Sequence, residues 1–340
     1  MSRTALIFGV SGQTGSYLAH LLLTEGYKVF GASRDCQINA FENLHRLGVR
    51  DQVNFRSVSL LDFRSVMKIL NETQPDEVYN LAGQTSVALS FEHPVETFES
   101  IAFGTLNILE CLRFYGGKIR YFNATSTDCF GHTQTPANEM SPFRPRSPYA
   151  MAKAASFWTT ASYRDAYGLH ATNGILSNHE SPLRPSRFVT RKIVLAAMRI
   201  AAGSKERLAL SDVSIERDWG WAPEYAQAIW KIARHDKADD FVVATGYTCS
   251  VHTLVDTAFR YFELDWRDHV DTDKTLMRPS DIPRVALDTA KIRHVLHWRP
   301  TVISPGLIST MLDSERRRDL GPVPWQTGPV HDHAPPKLSV

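Results

Sequence analysis

Cysteine is scarce in these 340 residues: Cys36, Cys111, Cys129 and Cys249 are the complete set. Their scatter forms neither a disulfide framework nor metal-ligand spacing, so a stapled secreted module and a metal centre are both unexpected. A reducing, cytoplasmic setting is favoured. An excess of one charge is also lacking. The 38 basic and 36 acidic side chains are interspersed and leave a net +2. That excludes a general nucleic-acid-binding surface but leaves room for a local anion site. No apolar run is long enough to span a bilayer, and the first residues lack a basic stretch followed by a leader-type apolar run. A soluble protein with no membrane partner is expected. What is present is a 43% hydrophobic chain, enough for one large core or two intimate ones.

Apolar runs of strand length alternate with helical patterns. Thr4–Phe8 (TALIF) ends at glycine; Leu18, Leu21 and Leu22 then have helical spacing, and Gly26 is a natural stop. Tyr27–Gly31, Val53–Ser57, Val78–Leu81, Ile119–Asn123 and Thr172–Leu176 are further strand candidates. This rhythm predicts an α/β fold, a doubly wound parallel sheet of Rossmann type. Residues 1–177 form its dinucleotide-binding part. Beyond about residue 178 the pattern turns irregular and proline-rich, which predicts a smaller substrate-binding part over 178–320, interleaved with the first. From Gly321 onward a flexible tail is expected.

Gly9-Val-Ser11-Gly12-Gln13-Thr14-Gly15 lies between the first strand and first helix. Glycines there allow a tight turn and let backbone N–H groups approach a pyrophosphate at a helix N-terminus. At the end of the second strand, an acidic residue would bind a ribose hydroxyl and an arginine would accommodate a 2′-phosphate. The sequence offers both, Arg34 and Asp35; Arg34 favours NADP. Tyr149 and Lys153 stand four apart at the start of a helical segment, on one face. An ammonium near a phenol stabilises phenolate, which could exchange a proton with a sugar hydroxyl during hydride transfer. Ser126 and Asp128 follow the fifth strand, where such sheets place ligand contacts. A hydroxyl there can bond the reacting oxygen and a carboxylate can act as a base; a turn cluster is the alternative reading.

Together the glycine segment Gly9–Leu18, SPYAMAK, NGILSNHESP, FVTRKI and ERDWG resemble the GDP-mannose 4,6-dehydratase family, from Thr4 to about Arg318. The resemblance implies an NADP-dependent lyase acting on a GDP-sugar, in a homodimer or homotetramer. The family's catalytic tyrosine and lysine fall on Tyr149 and Lys153; its threonine and glutamate positions hold Ser126 and Asp128. Cofactor positions implied by the resemblance are the glycine loop, Arg34, Leu60, Leu81, Ala82, Gly83, His179 and Arg184. Asn178, Arg217, Arg278 and Ser126 are the implied substrate contacts. The family's acidic residue near adenine is Ser59 here, and its second arginine after strand two is Asp35. A 4-keto reductase or epimerase on the same fold, and a non-catalytic nucleotide-binding protein, are the competing readings.

Overall fold

The first half supplies six strands: β1 (Thr4–Phe8), β2 (Lys28–Ser33), β3 (Asn54–Ser57), β4 (Glu77–Asn80), β5 (Arg120–Ser126) and β6 (His170–Leu176). The second half adds β7 (Asn178–Glu180), β8 (Leu208–Leu210), β9 (Glu216–Trp221), β10 (Asp240–Val243), β11 (Thr248–Ser250) and β12 (Val270–Thr272). These come from a computed structural model that describes residues 2–325. Each of the six strands expected from the sequence is present, shifted by a few residues at most. The seventh strand of the main sheet, β10, was read only as part of an irregular stretch.

The main sheet runs in the order β10-β6-β5-β4-β1-β2-β3, and every pairing in it is parallel. Parallel strands covered on both faces read as continuous apolar runs, which is why TALIF is buried at four of five positions. Alternate residues serve opposite faces. Ala5 and Ile7 join a core with Leu18, Leu22 and Ile229, from the helices Gln13–Thr24 and Ala222–Arg234. Leu6 and Phe8 join the other core, with Val66, Leu70, Ile108 and Leu112, from the helices Phe63–Thr73 and Gly104–Tyr115. The chain moves outward from β1 to β3 and then returns to β4 on the other side of β1. That reversal opens a crevice at the carboxyl ends of β1 and β4, where such sheets bind ligands.

The second half is woven into this sheet: β10 pairs with β6, and the Ala222–Arg234 helix covers one face. Its remaining strands form a three-stranded sheet, β11-β9-β7, and a pair, β12-β8. The Val189–Ala201, Val251–Arg260 and Gly306–Arg317 helices close a separate core on them, around Trp219 and Trp221. The expected loose tail does not start at Gly321. Trp325 packs partly buried on the main core, and the Trp221 indole N–H donates to the Pro322 carbonyl at 2.7 Å. The rest of that expected tail, 326–340, lies outside the described residues.

Candidate active site

At the crevice, Gly9 adopts φ +83° and lies so close to the end of β4 that a Cβ would meet the Leu81 carbonyl carbon at 2.7 Å. A Cβ on Gly15 would collide with the Gly9 carbonyl oxygen. Both glycines are therefore dictated by close backbone approach. Gly12 caps the Gln13–Thr24 helix in extended conformation, with no side-chain hydrogen bond to its first turn. The first N–H groups of that helix thus face the crevice with the positive end of the helix dipole, the requirement for holding a diphosphate.

The loop is braced from the second half of the chain. The Gln13 amide donates to the His179 carbonyl at 2.9 Å and accepts from the Ser181 hydroxyl at 2.7 Å. His179 Nδ1 lies 2.8 Å from the Ser177 carbonyl and Nε2 lies 2.7 Å from the Thr14 hydroxyl. A carbonyl only accepts, so Nδ1 carries the proton and Nε2 accepts from Thr14. Burial, helped by Arg184, brings this imidazole down to about 4, and its ring stacks 4.6 Å from Tyr225. His179 and Gln13, both expected at the cofactor, also brace the loop: His179 has both ring nitrogens engaged and Gln13 has its amide bonded on both sides. Arg184 is likewise paired, with Glu180 at 3.3 Å, and its guanidinium lies 3.8 Å from the centre of the Phe188 ring.

The other strand ends line up along the same edge. Arg34, immediately after β2, is exposed and 3.9 Å from Glu96. Asp35 turns its carboxylate into its own loop, accepting from the Gln37 and Ile38 amides at 2.9 and 3.3 Å. Leu60, beyond β3, is fixed through its carbonyl by the Asn107 amide at 2.6 Å. Beyond β4, Leu81 and Ala82 run into Gly83, whose φ is +121°. Ser11 is held through its carbonyl by Asn43.

β5 continues to Ser126, three residues past the expected end, and this carries the hydroxyl to the sheet's carboxyl edge. Ser126 then caps the short helical turn Thr127–Phe130, accepting from the Asp128 amide at 3.2 Å. Facing it is the helix Pro148–Tyr167. Ser147 caps it, accepting from Ala150 N–H at 3.1 Å; Pro148 opens it and Gly168, in left-handed conformation, ends it. Tyr149 is thereby set in the first turn, where its phenol lies near enough to the Ser126 hydroxyl to be stabilised by it. Lys153, one turn on, is buried; its ammonium donates to the Ala124 carbonyl at 2.7 Å and lies 5.9 Å from the Tyr149 ring centre.

The electrostatics differ from expectation. Lys153 was to lower the tyrosine's proton affinity. In this protein burial pushes the Tyr149 phenol up, the Asp128 carboxylate adds to it, and the Ser126 hydrogen bond and Arg184 only partly oppose them. Lys153 itself is brought down to about 8 by burial.

Asp128, Arg217 and Arg278 line one narrow cleft, together with Val87, Arg146, Ser147, Ser280, Asp281 and Ile282. The cation Arg146 and the aspartate Asp281 were not singled out from sequence, although Asp281 sits in the same Arg-Pro-Ser-Asp segment as Arg278. Arg217 is buried in β9; burial lowers its hold on the proton, Asp128 and Asp281 strengthen it, and Arg278 weakens it. Arg278 is 3.4 Å from Asp281. Asn178 opens β7 opposite Trp219 and is not among the cleft's lining residues. Among the described residues there is no His, Cys, Asp or Glu cluster able to hold a metal, and no helix long and apolar enough to cross a membrane.

A doubly wound sheet, a glycine turn at its switch point and a Tyr-x-x-x-Lys helix beside the fifth strand define a short-chain dehydrogenase/reductase-type nucleotide-sugar enzyme. Residues 6–311 match the family model described as GDP-mannose 4,6 dehydratase. GDP-mannose 4,6 dehydratase 1 of Arabidopsis thaliana is 41% identical over 324 residues, covering 92% of this chain and 90% of the relative. The chain belongs to the GDP-mannose 4,6-dehydratase family. Among solved structures, a Thermus thermophilus UDP-glucose 4-epimerase in complex with NAD superposes with TM-score 0.80 at 27% identity, over 92% of this chain and 99% of that one. RMD from Pseudomonas aeruginosa complexed with NADPH gives 0.76 at 21%, over 93% and 100%, a likeness of fold.

Proposed function

We propose that this protein is a nucleotide-sugar 4,6-dehydratase acting on GDP-mannose or a related GDP-sugar, with NADP as its cofactor. The observation that carries the reading is the convergence of three groups. The Tyr149 phenol feels both the Ser126 hydroxyl and the Asp128 carboxylate where β5 ends, and Asp128 also lines the cleft with Arg217 and Arg278. A simple reductase needs the phenol; elimination needs a base as well.

The glycine loop and first helical turn would hold the cofactor's diphosphate, with Leu60, Leu81, Ala82 and Gly83 along its path. The nicotinamide supplies a hydride acceptor that later gives the hydride back, and in its oxidised form a positive charge. Exposed Arg34 and the inward-turned Asp35 carboxylate support a 2′-phosphate over a free ribose hydroxyl. Arg217 and Arg278 suit a nucleotide diphosphate.

Tyr149, with Lys153 beneath it, takes the proton of the carbon 4 hydroxyl as hydride leaves that carbon, and Ser126 holds the oxygen. The new ketone acidifies carbon 5, whose proton Asp128 takes as hydroxide departs from carbon 6. Of the two protons now held by Tyr149 and Asp128, one completes the departing water. The other returns to carbon 5 when hydride adds at carbon 6. No net reductant is consumed. The test is incubation with a panel of nucleotide sugars, read by mass spectrometry. Loss of one water from a GDP-hexose, with no NADPH consumed, is the expected result. Stoichiometric NADPH consumption without water loss would make the protein a reductase.

A further inference from the structure

We propose that Glu96 sets how strongly this protein discriminates NADP from NAD, by competing with the cofactor's 2′-phosphate for Arg34; this rests on the NADP reading above. Arg34 is the first residue beyond β2 and is 92% exposed at its side chain, with the Glu96 carboxylate 3.9 Å away. Asp35, the other acid at this strand end, has its carboxylate bound by the Gln37 and Ile38 amides. Glu96 is therefore the acid that meets Arg34.

Its position is built, because the chain carrying it is anchored on the neighbouring strand ends. The helix Pro94–Phe98 bearing Glu96 leads straight into Glu99–Phe103. That second turn lies against Gly83, where a Cβ would come within 2.8 Å of the Ile101 side chain. The Gln84 amide donates to the Ser100 hydroxyl at 3.3 Å. One turn further, Asn107 donates to the Leu60 carbonyl at 2.6 Å. The segment 94–107 is thus fastened to the tips of β3 and β4, and it brings its acid to the tip of β2.

An exposed pair of this length is weak, and a phosphate of nearly two negative charges displaces it. The displaced carboxylate stays within a Debye length of the phosphate and repels it. NAD carries an uncharged hydroxyl there and feels no such repulsion. Glu96 accordingly lowers affinity for NADP and leaves NAD unaffected, a dampened preference rather than a reversed one. A single exposed repulsion of this kind corresponds to about three- to fivefold in affinity at low salt.

The experiment is equilibrium titration of NADP⁺ and NAD⁺ into the full chain freed of nucleotide, followed by tryptophan fluorescence, for wild type, Glu96→Gln and Arg34→Ala. Glu96→Gln should bind NADP⁺ about three- to fivefold more tightly with NAD⁺ unchanged, and half-molar salt should erase the gain. Arg34→Ala should lose NADP⁺ affinity. If Arg34→Ala loses it while Glu96→Gln equals wild type, Glu96 has no such role and the NADP reading stands. If Arg34→Ala binds both dinucleotides as wild type does, the NADP reading fails and takes the Glu96 proposal with it.

Discussion

Lys153→Met should make this protein more stable at neutral pH while abolishing turnover. Lys153 is 7% exposed, and burial brings its ammonium down to about 8 from 10.5. A lysine whose folded value lies below its unfolded one costs stability wherever the unfolded chain holds the proton. The cost is complete below about pH 8 and is relieved as pH rises from 8 toward 10.5, because there only the unfolded chain still binds the proton. At 1.36 kcal/mol for each unit, the burial costs about 3 kcal/mol at pH 7. Methionine fills the same space without charge, but it leaves the Ala124 carbonyl, now 2.7 Å from the ammonium, without that donor. A lost partner of this kind costs about 1–2 kcal/mol. The net expectation is a gain of about 1–2 kcal/mol at pH 7, shrinking and reversing by pH 10. Urea denaturation of both proteins at pH 7 and pH 9.5 measures it. A variant less stable at pH 7, or a difference independent of pH, would refute the reasoning.

Gly9→Ala should cost about 2–4 kcal/mol, from strain at φ +83° together with the 2.7 Å clash on Leu81. Gly26→Ala, at φ +78° with nothing within 4 Å, carries the strain alone and should cost about 1–2 kcal/mol; equal denaturation midpoints for the two would dismiss the close-approach argument. Tyr149→Phe should keep dinucleotide binding and lose at least a hundredfold in turnover; near-normal turnover removes the phenol from the chemistry. Asp128→Asn should still oxidise carbon 4, seen as NADPH absorbance, yet release almost no water and take little deuterium at carbon 5 from heavy water. Normal water loss by this variant would take the base assignment away from Asp128.

The parts of this fold that were legible in the sequence are those whose signals are local. TALIF followed by Gly9, Gly12 and Gly15 specifies a strand, a turn and a helix within twenty-odd residues, and Tyr149 with Lys153 needs one helical turn. The parts that escaped depend on distant partners. β10 is four residues long and sits at the sheet edge; the outward Val242 N–H is taken by Glu139 at 2.7 Å and the Asp240 carbonyl by Lys291 at 2.8 Å. A strand whose edge is finished by side chains from segments a hundred residues before it and fifty after it leaves no periodic trace. The bracing duties of His179 and Gln13 escaped for a related reason. The residue types suit a ligand, but their partners, Thr14, Ser177 and Ser181, become visible only when β7 is laid against the glycine loop. Spacing likewise reveals a lysine near the tyrosine and says nothing of the burial that pushes the phenol up.

Asp128, which stands where the resemblance places a longer glutamate, belongs to a cleft of nearly balanced charge. Three arginines, 146, 217 and 278, face two aspartates, 128 and 281, leaving one net positive charge among the lining groups. Asp128 supports the charged state of buried Arg217, so it acts as a counter-ion as well as a candidate base. The two duties separate on substitution: removing the carboxylate charge raises the cleft to two net positives. That should tighten a nucleotide diphosphate even as proton abstraction stops. KM and kcat for the Asn variant should then fall together, a pattern that loss of a purely structural aspartate would not produce. The shorter side chain costs reach toward carbon 5, roughly one bond length.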